Sequence, residues 1–384
     1  VTVSASKFKV LERAYGFDEV ALVPGNVTIN PDQVNIKFPF CGFNFDIPFL
    51  ASAMDGVTDP RFAVAFGKMG GLAVLNLEGV QCRYDDPDAV LAEIAATPQA
   101  EVTALMQKVY SAPIKPNLIG ERIQFIKKAG IVCACSIAPP SVKKLAPLTK
   151  EAGLDILVIA ATVTTARHKS KSIKGVVLSE IKKELKMPIV VGNTVSYTAA
   201  MELMREGIDG LLVGVGPGAA CTTREVLGVG VPQVTATIDS AAARDEYFNI
   251  SGRYVPIITD GGMRTGGDVC KAFAAGADAV MIGSPFAGTQ EAPGRGFHWG
   301  MAHPHAALPR GTRIKVGQNT TLQQLMLGPT SRTDGTQNLV GALRTCMGVC
   351  SASNIKEMHR TRMVIAPSIK SEGKIFQIAQ CANG

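Results

Sequence analysis

Residues 257–284, IITDGGMRTGGDVCKAFAAGADAVMIGS, decide the fold. A short apolar run, Ile257–Thr259, ends in the turn Asp260-Gly261-Gly262. A helical pattern over Gly267–Ala275 follows and stops at Gly276, as helices often do. A second apolar run, Ala279–Ile282, then ends in Gly283-Ser284. Two strands that are apolar on both faces and joined through a helix belong to a covered parallel sheet. Turns rich in glycine after such strands make compact βα connections, and their backbone N–H groups also suit a phosphate. Two of them on adjacent strands favour the phosphate reading, with Asp260 placed to accept hydrogen bonds from a ribose diol.

The same rhythm extends upstream. Apolar runs occur at Phe49–Met54, Leu72–Leu77, Ile131–Ile137, Ile156–Ala161, Ile189–Val191 and Leu211–Val215. Helical patterns lie over Asp59–Met69, Asn117–Ala129 and Ser196–Glu206, and Asp85 or Asp86 caps another that begins at Pro87. With the two runs above, the strand candidates match a (β/α)8 barrel, an α/β fold of the TIM type. An open doubly wound sheet is the runner-up, but no GxGxxG follows the first strand. The expectation is a single domain over 1–384: an extension at 1–48, a barrel core at 49–290, a flap region at 291–333, and a C-terminal helix and tail at 334–384. Within the extension, Phe17–Pro24 reads as a short strand and Phe38–Phe45 as a hairpin.

Composition narrows the class. At 384 residues and 46% hydrophobic content the chain can bury a large core. The net charge of +7 suits a phosphate-bearing small ligand. No dense Lys/Arg tract argues for nucleic acid. The nine cysteines are scattered, with neither a disulfide ladder nor zinc spacing, so a reducing cytoplasm is the expected compartment. No apolar run approaches membrane-spanning length.

In a barrel the chemistry sits at the C-terminal strand ends. There the strand Leu211–Val215 opens into GVGPGAACTTR, residues 214–224. Gly214, Gly216 and Gly218 let the backbone approach a ligand closely. Cys221 then lies on an exposed loop, followed by two threonine hydroxyls. Cysteine is the most nucleophilic ordinary side chain near neutral pH; the alternative is a small buried thiol beside a turn. The rim also carries Ser52-Ala53-Met54-Asp55, Asn76 and Gly192-Asn193, and that coherence favours a catalytic Cys221.

These segments closely resemble the IMP dehydrogenase/GMP reductase family: SAMDG (52–56), GNTV (192–195), GVGPGAACTTREVLGVGVPQ (214–233), DGGMRTGGDVCKAFAAGADAVMIGSPFAG (260–288) and GALR (341–344). YGFDEVALVPG (15–25) and VLNLEG (74–79) resemble its short, IMP-dehydrogenase-related branch of actinobacteria and cyanobacteria. The resemblance implies a barrel, usually tetrameric or octameric, that binds GMP, IMP or XMP and uses NADPH or NAD. It implies that Cys221 attacks purine C2, that Thr223 assists proton transfer, and that Ser52, Met54, Asn193 and Met301 surround the nucleotide. The phosphate would lie on Gly261, Gly262, Gly283 and Ser284. Thr162, Gly214 and Gly216 would face the cofactor, and carbonyls of Gly216, Gly218 and Cys221 would hold a monovalent cation such as K+. The regulatory CBS insert is absent, because the interval from Leu77 to Ile131 has room only for helices.

The resemblance departs from the family pattern at informative places. The flap equivalent, His298–Gln318, holds no tyrosine, so the Arg–Tyr pair by which IMP dehydrogenases activate water is missing. The acid of the GMP reductase Thr–Glu dyad is also missing, with Gln318 or Asn319 standing near its place. Ala219 replaces a phosphate-binding serine, and Ala161-Thr162 replaces an acid that touches the nicotinamide ribose. Arg167, His168 and Lys169 follow, readable either as an exposed solvated loop or as a site for the extra phosphate of NADPH. His298, His303, His305 and Arg310 are candidates for the missing proton transfer. GMP reduction is the first expectation, IMP oxidation with a different water-activating group the second, and a non-catalytic nucleotide-binding paralogue the third.

Overall fold

The computed structural model describes residues 11–168, 177–301 and 313–368. Its centre is a closed barrel of parallel strands: Phe49–Ala51, Leu72–Asn76, Ala134–Ile137, Ile156–Ala160, Ile189–Thr194, Gly210–Val213, Ile257–Asp260 and Ala279–Ile282. Neighbours in sequence are neighbours in the sheet, and the last strand closes on the first with Val280 opposite Phe49 and Ile282 opposite Ala51. All eight strands fall on the apolar runs. Two are shorter than their runs: the first stops at Ala51, where the run enters the rim, and the third starts only at Ala134, at the opposite end of the barrel.

Helices cover the outside. Asp59 caps Pro60–Lys68 by accepting the Phe62 N–H at 2.6 Å. Asp86 rather than Asp85 caps Pro87–Ala96 through the Ala89 N–H, while Asp85 pairs with Lys115. Thr265 and Asp268 form a reciprocal capping box on Gly266–Ala274, satisfying donors that a helix start leaves open. The interval after the second strand holds Pro87–Ala96, Val102–Ser111 and Pro116–Lys128.

Inside the barrel, Leu50, Leu72, Val74, Ile156, Val158, Val190, Leu212, Ile258 and Met281 pack together. The hairpin Phe38–Phe40/Phe43–Phe45 adds Phe38, Phe40 and Phe45 to this cluster. One end of the barrel is therefore a closed apolar plug, and ligands must enter at the other. Upstream, Val20–Leu22 pairs antiparallel with Met363–Ile365 and ties the two ends of the described chain together. Among the described residues no helix is long and apolar enough to cross a membrane.

Candidate active site

A cavity of about 1610 Å³ opens where the barrel strands end. Its lining includes every residue expected at the site: Ser52, Met54, Thr162, Asn193, Gly214, Gly216, Gly218, Cys221, Thr223, Asp260, Gly261, Gly262, Gly283, Ser284 and Met301. They come from loops far apart in sequence, brought together because each follows a barrel strand.

The Cys221 loop is held from behind. Gly214 has φ of 150°, and a Cβ there would lie 2.3 Å from the Asp260 carbonyl oxygen. Gly216 has φ of 76° and rests against the stem of Arg224. Arg224 donates to the Val231 carbonyl at 2.9 Å and to the Val215 carbonyl at 3.4 Å. Gln233 Nε2 donates to Val213 and Asp260 carbonyls at 2.6 and 3.0 Å, tying the sixth strand end to the seventh. Cys221 is exposed toward this space, and its Sγ donates to Thr223 Oγ1 at 3.2 Å. Thr223 itself is buried, so its hydroxyl is fixed beside the thiol.

Across the mouth, Asn193 Nδ2 donates to Asp260 Oδ2 at 2.8 Å. Burial pushes the Asp260 carboxyl up to about 6, and the Asn193 bond opposes that shift. Gly261 and Gly262 both take positive φ and pack on Pro217 of the Cys221 loop. The Gly261 N–H is already used, donating to the Met281 carbonyl at 3.1 Å. That corrects its expected role as a phosphate donor: the turn directs this N–H into the barrel ladder. The N–H groups of Gly262, Gly283 and Ser284 have no acceptor among the described residues. Gly283 leaves room for Met54 Sδ and Ser52 Oγ, which a Cβ would approach to 3.1 and 3.5 Å.

The side chains around the mouth narrow the candidates for proton transfer. His298 lines the cavity, with Nε2 3.0 Å from Ser284 Oγ, but burial pushes its imidazole down to about 4, so it is neutral at physiological pH. Arg313 points away from the cavity: it donates to the Ile94 carbonyl and its guanidinium lies 4.4 Å from the Phe297 ring centroid. Arg295 and Gln318 line a separate, smaller cavity, and Asn319 lines neither, so no residue of that pair takes the place of the acid. Arg167 pairs with Glu202 at 3.4 Å, leaving His168 as the described member of the basic trio in the main cavity. Lys169, His303, His305, Arg310 and the tail from 369 lie outside the described residues.

Sequence reading missed other lining residues. Glu78, just beyond the second strand, accepts from the Ala138 N–H and Ser141 Oγ–H, both at 2.5 Å. Gln233 was read only as the end of a motif. Gly300 lies against the Ala220 carbonyl, 3.0 Å from where its Cβ would stand.

A parallel (β/α)8 barrel with a glycine-framed thiol at its rim defines a class, barrel enzymes that act on a bound small molecule. The comparisons narrow it. The family model for the IMP dehydrogenase/GMP reductase domain matches residues 14–303. An uncharacterized oxidoreductase of Mycobacterium leprae is 35% identical, over 93% of this chain and 98% of its own length. The inosine-5'-monophosphate dehydrogenase of Borreliella burgdorferi is 33% identical, over 74% of this chain and 72% of its own length. The crystal structure of an IMP dehydrogenase/GMP reductase-like protein from Corynebacterium glutamicum superposes with a TM-score of 0.88 at 33% identity, covering 94% of this chain and 97% of that one. The chain belongs to the IMP dehydrogenase/GMP reductase family and is an oxidoreductase of that family.

Proposed function

We propose that the protein performs redox chemistry at C2 of a purine ribonucleoside 5'-monophosphate, with Cys221 as the nucleophile. The observation that carries this reading is the exposed Cys221 thiol, hydrogen-bonded to a buried Thr223 and opposite the free N–H groups of Gly262, Gly283 and Ser284. The Cys221 sulfur forms a bond to C2 and passes its proton toward Thr223. Asp260 accepts from the ribose hydroxyls, and Ser52, Met54, Asn193 and Met301 enclose the base. A nicotinamide cofactor bound beside the nucleotide would supply the acceptor for the hydride leaving C2, and water would then displace the Cys221 sulfur from C2 to release the product. The cavity supports a second ligand, because its size exceeds the ~300–1,000 Å³ usual for one small molecule and its lining runs on past Thr162 to His168. Thr162, Gly214 and Gly216 are the proposed cofactor contacts. The carbonyls of Gly216 and Cys221 accept no hydrogen bond among the described residues, and that of Gly218 accepts only the Cys221 N–H. The three therefore fit a monovalent cation. Assembly as a homotetramer or octamer and a cytoplasmic setting complete the proposal.

For direction, oxidation of IMP with water to XMP now stands first, ahead of the initial expectation. Relatives with a named activity include the inosine-5'-monophosphate dehydrogenases of Borreliella burgdorferi and, at 30% identity, Cryptosporidium parvum. Among the described residues no carboxylate bonds to Thr223 to protonate a departing amine. The specific observation for GMP reduction is the tyrosine-free segment after Tyr254. Incubating the protein with IMP and NAD+, or with GMP and NADPH, while following nicotinamide absorbance separates the two. Absorbance gain in the first mixture is expected. Decay in the second mixture alone reverses the direction, and silence in both, with nucleotide binding unchanged in Cys221→Ala, leaves the non-catalytic reading.

A further inference from the structure

One buried network links the nucleotide rim to the helices that follow the second strand. Asp55, Tyr110 and Trp299 are almost fully buried. Trp299 Nε1 donates to Tyr110 Oη at 2.6 Å, and Tyr110 Oη donates to Asp55 Oδ2 at 2.7 Å. The Asp55 N–H lies 3.5 Å from Met301 Sδ. An indole N–H only donates and a carboxylate only accepts, so the group between them must both accept and donate, as the Tyr110 hydroxyl does. The three elements are the first-strand rim at 52–55, the helix Val102–Ser111, and the end of the strand Phe297–Trp299. Trp299 leads directly to Gly300, which abuts the Ala220 carbonyl next to Cys221, and to Met301 in the cavity lining.

We propose that Tyr110 is a positioning residue for the reaction: its hydroxyl clamps Trp299 to Asp55 and so fixes Gly300 and Met301 against the Cys221 loop. The helix Val102–Ser111, outside the barrel, thereby sets the geometry of the site. This rests on the assignment of chemistry to Cys221. Tyr110→Phe keeps the ring and its packing but takes away the acceptor of the indole N–H and leaves Asp55 Oδ2 with the Val80 N–H alone, at 2.9 Å. A shift of about 1 Å at Met301 reaches the reacting centre without removing any ligand contact, so turnover is affected more than binding.

Trp299 is the chain's only tryptophan, so its fluorescence reports on the clamp without turnover. In Tyr110→Phe, acrylamide quenching of Trp299 is expected to rise about twofold and kcat to fall about tenfold or more, with KM for the nucleotide moving less than about threefold. Met106 lies buried on the same helix, and Met106→Ala loosens packing while leaving the hydroxyl in place. It is expected to retain wild-type quenching and kcat within about twofold. Should Tyr110→Phe not fold, Trp299→Phe removes the same bond from the other side and must lower kcat comparably. Wild-type quenching and kcat in Tyr110→Phe, wild-type kcat in Trp299→Phe, or the full effect in Met106→Ala would each overturn the proposal. A wild-type protein without turnover at C2 defeats the functional reading instead, and the quenching of the two helix variants then decides the clamp.

Discussion

Gly214→Ala tests whether the backbone behind Cys221 is as tightly built as the geometry requires. The alanine Cβ would lie 2.3 Å from the Asp260 carbonyl oxygen and 2.8 Å from Gln233 Nε2, roughly 1 Å inside ordinary contact for the oxygen. Neither partner can retreat easily. The Asp260 carbonyl ends a barrel strand and is itself held by Gln233. The φ of 150° adds strain for any side chain, about 1–3 kcal/mol. With the overlap, the cost comes to roughly 2–4 kcal/mol. The loop relieves part of that by moving, and a displacement near 1 Å at Cys221 lowers kcat/KM by about 100-fold. Thermal melting and steady-state kinetics, measured on the same preparation, read both effects. A variant that melts like the wild type and keeps its kcat/KM within about threefold would refute the argument.

Three further outcomes follow from other parts of the molecule. Asp260 has its carboxyl raised from the ordinary value of 3.8 to about 6, so the ionised form that accepts from a ribose is lost as pH falls through that value. The acid limb of kcat/KM for the nucleotide should lie there, and Asn193→Ala, which removes the bond that lowers the pKa, should move it to higher pH; an unmoved or lowered limb counts against the assignment. Arg244 is buried, bonded to Asp278 Oδ2 at 2.8 Å and to the Gly276 carbonyl at 2.7 Å. Arg244→Met removes the cation paired with the buried Asp278, which keeps only neutral donors from Tyr254 and the Ile257 N–H, and should cost about 3–5 kcal/mol in denaturant unfolding; a loss below about 1 kcal/mol would show the pair to be dispensable. Gly120 sits within the helix Pro116–Lys128 with nothing near the position of an added Cβ, so Gly120→Ala should stabilise by about 0.5–1 kcal/mol in the same assay, and destabilisation would contradict the open space.

The barrel was legible because its strands are apolar on both faces and end in glycine or small polar residues. That pattern depends only on neighbours in sequence. Helices without an apolar stripe were not legible. Gln233–Ser251, rich in alanine, serine and threonine, buries Val234, Thr237, Ser240, Ala241 and Arg244 and shows no 3.6-residue period to find. Val142–Glu151 has Pro147 inside it, a residue that disfavours a helix interior. At the site, Cys221, Thr223 and Asp260 stood out by residue type and position. The direction of the Gly261 N–H did not, because a DGG turn can face it either way. The Asp55–Tyr110–Trp299 contacts join residues 55 and 189 positions apart, and no local pattern announces such pairs. The neutral state of His298 likewise depends on burial that only the assembled fold supplies.

The central claim is a bond between the Cys221 sulfur and C2 of a purine nucleotide, and mass spectrometry of the protein quenched during turnover with IMP and NAD+ tests it most directly. The account predicts a nucleotide-sized mass increase on the peptide carrying Cys221, absent without NAD+ and absent in Cys221→Ala. Turnover by Cys221→Ala, or an adduct carried by any other peptide, would contradict it.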